Sequence, residues 1–268
     1  MRSLPVFIAL FAPLLPLAAG EATLPRAQAP FAVTAPVVDG RADDPAWEKA
    51  PPVFFPAKNS DAALQLSCEV RFLWTHAGVY VAFRTTDRSP VYGHSRPGEP
   101  LYLEDVFEVF IDQGGDHRQF YEIQIDPAGQ AYFRNNLLTA PPRLTEEGRL
   151  TPEFCERELW RWDLPAPEGF EVASRLDAET GLWTAEIFFP AAFVNRRGGG
   201  GPMKPASWRI NLVRHDWSEP KNVPERKAAF LYWAEVLPGH PHLSPTRMGW
   251  LEFSPENATG GSDADAGD

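Results

Sequence analysis

Between Leu64 and Trp74 apolar and polar residues alternate. Leu64, Leu66, Cys68, Val70 and Phe72 fall on one parity, and Gln65, Ser67, Glu69 and Arg71 on the other. A period of two marks a strand with one buried face. Val79–Phe83 follows across the Ala77-Gly78 turn as the second arm of a hairpin. Val106–Asp112 and Gln119–Asp126 make another pair, joined by Gln113-Gly114-Gly115-Asp116, and Gly129–Arg134 extends the meander past Pro127. Phe170–Leu176, Trp183–Phe189, Trp208–His215, Ala228–Ala234 and Met248–Phe253 read as further strands. Only Ala191–Asn195 suggests a helical turn. The stretch 140–169, with five prolines and many charges, reads as a long loop.

So many short strands at regular spacing predict an all-β fold, an antiparallel β-sandwich over 37–254. Residues 21–36, rich in Ala and Pro, read as a linker. The four glycines at 198–201 mark a flexible insertion, and 255–268 an acidic, disordered tail. Composition agrees: 28 prolines in 268 residues exclude a helical bundle or coiled coil. Nine Trp, eighteen Phe and six Tyr carry too much apolar surface for a wholly disordered chain.

Residues 1–20 are set apart from the fold. Arg2, the apolar run Val6–Ala19 and the small residues Ala18-Ala19-Gly20 form a secretory signal peptide, an uncleaved anchor being the alternative. The expected location is therefore extracytoplasmic, periplasmic or secreted, with no membrane insertion after signal cleavage. Loss of Arg2 takes the formal charge from −11 to −12, which argues against nucleic acid or anionic lipid as a partner. Cys68 and Cys155 could pair in an oxidising compartment. Equally, Cys68 has the parity of a buried core residue, while Cys155 lies among Glu153, Glu156 and Glu158.

No nucleophile elbow, HExxH pair, phosphate-cradling loop or EF-hand spacing is present. The informative segment is 101–112, LYLEDVFEVFID, where Phe107, Val109 and Ile111 form one face and Val106, Glu108, Phe110 and Asp112 the other. A carboxylate on such a face needs a partner or a ligand. Glu122 and Gln124 of the next strand share the face with Glu108. Carboxylate and amide groups beside aromatic rings suit a sugar, whose hydroxyls want acceptors and donors and whose C–H faces stack on π-surfaces. The alternative is structural: these groups cap loops or pair with Arg84, Arg134 or Arg214. Asp39, Asp43 and Asp44 are similarly open between a calcium site and Asx turn chemistry, with Trp47 as a core anchor.

Taken together, these pieces resemble the family 9 carbohydrate-binding modules, within the DOMON-like group of β-sandwiches, over about 37–253. The resemblance is carried by VDGRADDPAW at 38–47, VRFLW at 70–74, VYVAF at 79–83 and PLYLEDVFEVFID at 100–112. FYEIQIDPAGQ at 120–130, LWTAEIFFP at 182–190, WRINLVR at 208–214 and SPTRMGWLEF at 244–253 continue it. It implies a sandwich that holds a glycan end between two stacked rings, with polar groups and structural calcium nearby. By motif position the first stacking residue is Tyr102, the acidic ligand residue Glu108, the neighbouring-strand residue Gln124 and the second stacking position His242. Gln124 stands where the family has a basic residue, and a late-strand polar position falls near Val213. No cofactor is expected beyond structural calcium.

Three functions are then in view. The first is an exported non-catalytic saccharide-binding protein using Tyr102, Glu108, Gln124 and His242, with a glycan-active enzyme as partner in carbohydrate catabolism. The second is a haem-binding electron-transfer domain, with Met203, Met248, His215 or His242 as axial ligands. The third is a glycan-processing enzyme with Glu108 in an acid/base pair.

Overall fold

The computed structural model describes residues 24–54, 57–58, 68–194, 203, 206–237 and 241–256. The expected leader, Leu64–Ser67, the glycine insertion, His240 and the tail from Asn257 lie outside them.

Fourteen strands are described: β1 (Arg26–Ala29), β2 (Val53–Phe54), β3 (Ala57–Lys58), β4 (Glu69–Thr75), β5 (Gly78–Thr86), β6 (Val106–Asp112), β7 (Gln119–Ile125), β8 (Ala131–Leu138), β9 (Leu159–Leu164), β10 (Glu171–Leu176), β11 (Leu182–Pro190), β12 (Ser207–Trp217), β13 (Ala228–Tyr232) and β14 (Gly249–Phe253). Two short helices, α1 (Pro152–Glu158) and α2 (Ala191–Val194), interrupt them. One sheet runs β1-β14-β12-β6-β7-β8-β9, with β13 added to β12 and β3 to β13. The other runs β10-β11-β5-β4-β2. Every pairing is antiparallel except β1 on β14. The chain is an all-β sandwich.

Alternation decides which side chains fill it. Phe107, Val109 and Ile111 of β6 turn inward with Ile123, Ile125 and Phe133, and meet Val70, Phe72, Val81, Phe83 and Ile187 of the second sheet. Phe83 stacks on Phe107 with centroids 4.3 Å apart, and Trp183 stands edge-on to Phe83 at 4.8 Å. Such aromatic pairs add about 0.5–1.5 kcal/mol beyond the area they bury.

The register of β6 against β7 is fixed by its turn. Asp112 accepts hydrogen bonds from the backbone N–H groups of Gly114, Gly115 and His117 at 3.0, 2.8 and 2.9 Å. Glu108 is thereby set opposite Gln124 and Phe110 opposite Glu122. A slip of one residue would send all four to the other face.

Four expectations meet the structure here. The linker of 21–36 is partly a strand: Arg26–Ala29 pairs with Trp250–Phe253, and Phe31 packs on Trp74 at 4.9 Å. The loop at 140–169 contains α1 and β9. Thr151 caps α1 by accepting from the Phe154 N–H at 3.2 Å, ahead of a proline at the first helical position. The cysteines are both free and buried, Cys68 in the core between the sheets and Cys155 in a cluster on the outer face. Asp39 and Asp44 do turn chemistry. Asp44 accepts from the Val37 and Ala46 N–H groups, and Asp39 from that of Arg41. Trp47 is the core anchor expected, its indole donating to Glu186 at 2.8 Å. Gly40, at φ +81, turns its N–H onto the same carboxylate, also at 2.8 Å. The left-handed conformation there favours glycine.

Candidate functional site

The outer face of β6, β7 and β8 carries polar groups where a sandwich needs none. Register places Val213, Glu108, Gln124 and Tyr132 in one row, and Asn211, Phe110, Glu122, Arg134 and Asp163 in the next. Above these rows lies a cleft of about 400 Å³. Glu108, Glu122 and Arg134 line its floor, Tyr102, His242 and Arg161 its sides. Trp217, His215 and Phe230 complete one end.

Both carboxylates are almost fully enclosed, each residue at 2% exposure. Their surroundings push them apart. Burial, then the neighbouring Glu122 charge, raises Glu108 well above the usual carboxylate range, against a smaller pull from Arg134. Burial would raise Glu122 too. His242 at 2.8 Å, Arg134 and the Gln124 amide at 2.6 Å outweigh it and hold Glu122 below its ordinary value. The surroundings thus favour the protonated form of Glu108 and the ionised form of Glu122. Burial and Glu108 also push the Tyr232 hydroxyl up to about 12.

His215 completes the acid's surroundings. Its Nδ1 lies 3.0 Å from the Tyr102 carbonyl, which can only accept, so Nδ1 carries the hydrogen. Nε2 faces Glu108 at 3.6 Å. Burial holds this imidazole down at about 4, so near neutral pH its bare Nε2 faces the Glu108 carboxyl. The Trp217 indole donates to the same Tyr102 carbonyl at 3.1 Å, and Arg226 lies 3.7 Å over the Trp217 ring. These contacts fix the Tyr102 backbone while its side chain stands 40% exposed at the mouth.

Of the four residues singled out from the sequence, Tyr102, Glu108 and His242 line one cleft. His242 comes from a 3-10 turn at Pro241–Leu243, held where the Leu150 N–H donates to the Leu243 carbonyl at 2.7 Å. Gln124 is behind the wall rather than on it. Its carbonyl accepts from the Leu101 N–H at 2.7 Å and its amide donates to Glu122, so it positions the anion and the Tyr102 loop together. Val213 is buried and apolar, facing Glu108 in register. Arg161, Trp217 and Phe230 were not expected from the sequence, and Arg134 only as an ion-pair partner. The parity of Arg134 with Glu122 was readable, whereas Arg161 needed β9 to be recognised.

Other groups were tested as ligand or metal sites. Asp87, Asp105 and Asp216 bring carboxylate oxygens within 4.8 Å of one another. Buried Arg214 stands among them, its Nη2 at 2.6, 3.6 and 3.2 Å from the three, and its guanidinium lies 4.9 Å from the Trp183 ring. Burial, only partly opposed by Arg214, pushes Asp105 up to about 8. The place an ion would take among these three acids is held by the Arg214 guanidinium, and Asp39 and Asp44 accept local backbone hydrogen bonds. Of the candidate haem ligands, Met203 is in the core between the sheets and Met248 in the cluster on the outer face, so those two could not ligate one porphyrin together.

The model of the family "Carbohydrate family 9 binding domain-like" matches residues 38–136. No curated protein matches the chain. Among solved structures, a family 9 carbohydrate binding module from Caldicellulosiruptor kristjanssonii in complex with cellotriose is similar at TM-score 0.56 and 12% identity. That likeness covers 90% of this chain and 100% of that one. The same kind of module from that organism with glucose gives 0.55 and 13%, over 88% and 98%. A putative carbohydrate-binding protein from Bacteroides uniformis gives 0.64 and 13%, over 87% and 100%. In sequence over residues 38–136, and in fold over most of its length, the chain resembles the family 9 carbohydrate-binding domains.

Proposed function

We propose that the chain is an exported, non-catalytic protein that binds a saccharide in the cleft between Tyr102 and His242. The carrying observation is that cleft, where two buried carboxyls, Glu108 and Glu122, share a lining with a partly exposed tyrosine, burial favouring the protonated form of Glu108 and its hydrogen-bond donors the ionised form of Glu122. A protonated carboxyl donates to a hydroxyl and a carboxylate accepts from one, so the pair reads a diol in one orientation. Tyr102 offers its face to the sugar C–H groups, and His242 packs edge-on to Phe110 at 5.4 Å as the facing wall. The similar modules bound to cellotriose and glucose support the ligand class.

Calorimetry with cellotriose, glucose and a panel of other oligosaccharides tests the reading. Binding that weakens about tenfold or more in Tyr102→Ala and Glu122→Gln is expected, and no binding across the panel would sink it. Export rests on the apolar leader Val6–Ala19, and cell fractionation checks it. Among the described residues no helix is long and apolar enough to cross a membrane. A glycan-active enzyme is the partner class this reading implies.

The opposed ionisation of Glu108 and Glu122 also favours one second reading, glycoside cleavage with Glu108 as acid. A base must be free to take a proton. Glu122 is held by both His242 and Gln124, which suits a hydroxyl acceptor better. Release of reducing sugar that is lost in Glu108→Gln would reverse this preference.

A further inference from the structure

Strand β9 carries two tryptophans two residues apart, and both stand in solvent, Trp160 at 64% and Trp162 at 42% exposure. The other seven tryptophans of the chain are buried or half-buried. Adjacent exposed indoles are a costly way to end a sheet, and such patches mark contact surfaces.

The position of β9 does not depend on them. Arg161 and Asp163, the alternate residues, point to the cleft side. Arg161 lines the cleft, and Asp163 accepts from Arg134 Nε at 3.1 Å and from the Tyr132 hydroxyl. Trp160 and Trp162 project from the opposite face, the one that packs the core further along at Leu164 and Phe133. In register, Trp160 lies beside Leu137 and then Gln119, and Trp162 beside Asn135. Asn135 is buried, and its carbonyl accepts from Gln119 Nε2 at 3.1 Å. Its Nδ2 has no partner among the described residues.

We propose that Trp160 and Trp162 form a second carbohydrate-contact surface, a platform for the ring faces of a neutral polysaccharide chain. The proposal rests on the saccharide-binding reading but uses none of the Tyr102–His242 cleft. Two residues along a strand span about 6.6 Å, of the order of one hexose unit. The indoles offer faces to C–H groups, and the half-buried Gln119 side chain offers a polar contact to hydroxyls. No charged residue stands in these two register rows on β7, β8 or β9, and the whole chain carries −11. Both facts favour a neutral polymer over an acidic one. Because β9 ends the sheet and also supplies Arg161, platform and cleft meet along one strand.

Affinity electrophoresis through hydroxyethylcellulose, xyloglucan and arabinoxylan, with calorimetry against cellotriose, separates the two surfaces. The wild-type protein should be retarded in at least one gel. Trp160→Ala with Trp162→Ala should weaken that retardation about tenfold or more and leave the cellotriose affinity unchanged. Trp160→Phe with Trp162→Phe, which keeps two rings, should retain most of it and guards against misfolding. Tyr102→Ala should do the converse, losing cellotriose first. The platform is overturned if the alanine pair is retarded like wild type, or if wild type is not retarded in any gel. It is also overturned if sedimentation velocity shows a wild-type dimer that the alanine pair abolishes, which would assign the indoles to self-association. Failure of the cleft reading shows separately, as retardation by polymer with no binding of cellotriose or the other oligosaccharides.

Discussion

Glu122 sits one register step diagonally from Glu108 on the neighbouring strand, yet their surroundings push the two carboxyls in opposite directions, Glu108 toward its protonated form and Glu122 toward its ionised form. The difference follows from what each can reach. Glu122 gathers donors from His242 and Gln124. Glu108 meets the bare Nε2 of His215 and the charge of Glu122 itself. Ionising both would place like charges close together in buried surroundings, which disfavours the second charge.

Glu108→Gln removes an acid whose ionised form costs stability. Its value in the folded protein lies above the ordinary 4.5, so that cost is absent at low pH and grows as pH rises through the folded value. Thermal unfolding from pH 4 to 9 should show the variant more stable than wild type at the alkaline end, with the gap closing toward pH 4. Parallel curves would contradict the protonated assignment.

His215 gives the opposite slope. An imidazole held at about 4 instead of 6.5 is stabilising when neutral, and the folded state loses stability as pH falls from 6.5 through 4. The loss amounts to about 3 kcal/mol when complete. Replacing it in His215→Asn should flatten urea-derived stability over that window. An unchanged slope would mean that His215 ionises freely.

Glu122→Gln exchanges an anion for an amide of the same shape. The hydrogen bond with His242 and the anionic acceptor are both compromised, so saccharide affinity should fall by about 1.5–3 kcal/mol, the scale of a charged hydrogen bond. Calorimetry reads the affinity, and a circular dichroism spectrum like that of wild type confirms that the fold persists.

Arg214→Met isolates the buried charge cluster. With the guanidinium gone, Asp87, Asp105 and Asp216 would crowd together without a counter-charge, at a cost of about 3–5 kcal/mol. Arg214→Lys keeps the charge but loses the planar contact with Trp183, and should fall between the two in a urea titration.

The sequence made β6 and β7 legible because alternation and the Gly114-Gly115 turn agree on one register. Once that register is set, Glu108, Glu122 and Gln124 must share a face. The structural alternative held in part: Gln124 does cap a loop, at Leu101, and Arg134 does face Glu122, whereas Arg214 serves the core instead. Tyr102 and His242 came only from resemblance, since no periodicity brings residues 140 positions apart to one cleft. Strand β9 was hidden for a physical reason. Its alternation sets charged side chains toward the cleft and tryptophans toward water, so neither parity looks buried. The arm at Arg26–Ala29 was hidden too, because its small residues pair with a strand more than 200 positions away.

Strand β12 joins β6 to β14 in the middle of the larger sheet, although it is made late, at 207–217. The region matched by the family model ends at 136, well before it. A fragment cut there would leave β6 with a bare hydrogen-bonding edge and the first strand without its parallel mate. Translation must reach β12 before the edge of β6 can close and β14 before the first strand can pair, so assembly depends on contacts of very long range. The unit that folds is therefore larger than the unit whose sequence is recognisable, and part of the cleft, including His215, Trp217 and His242, is built only when that larger unit is complete.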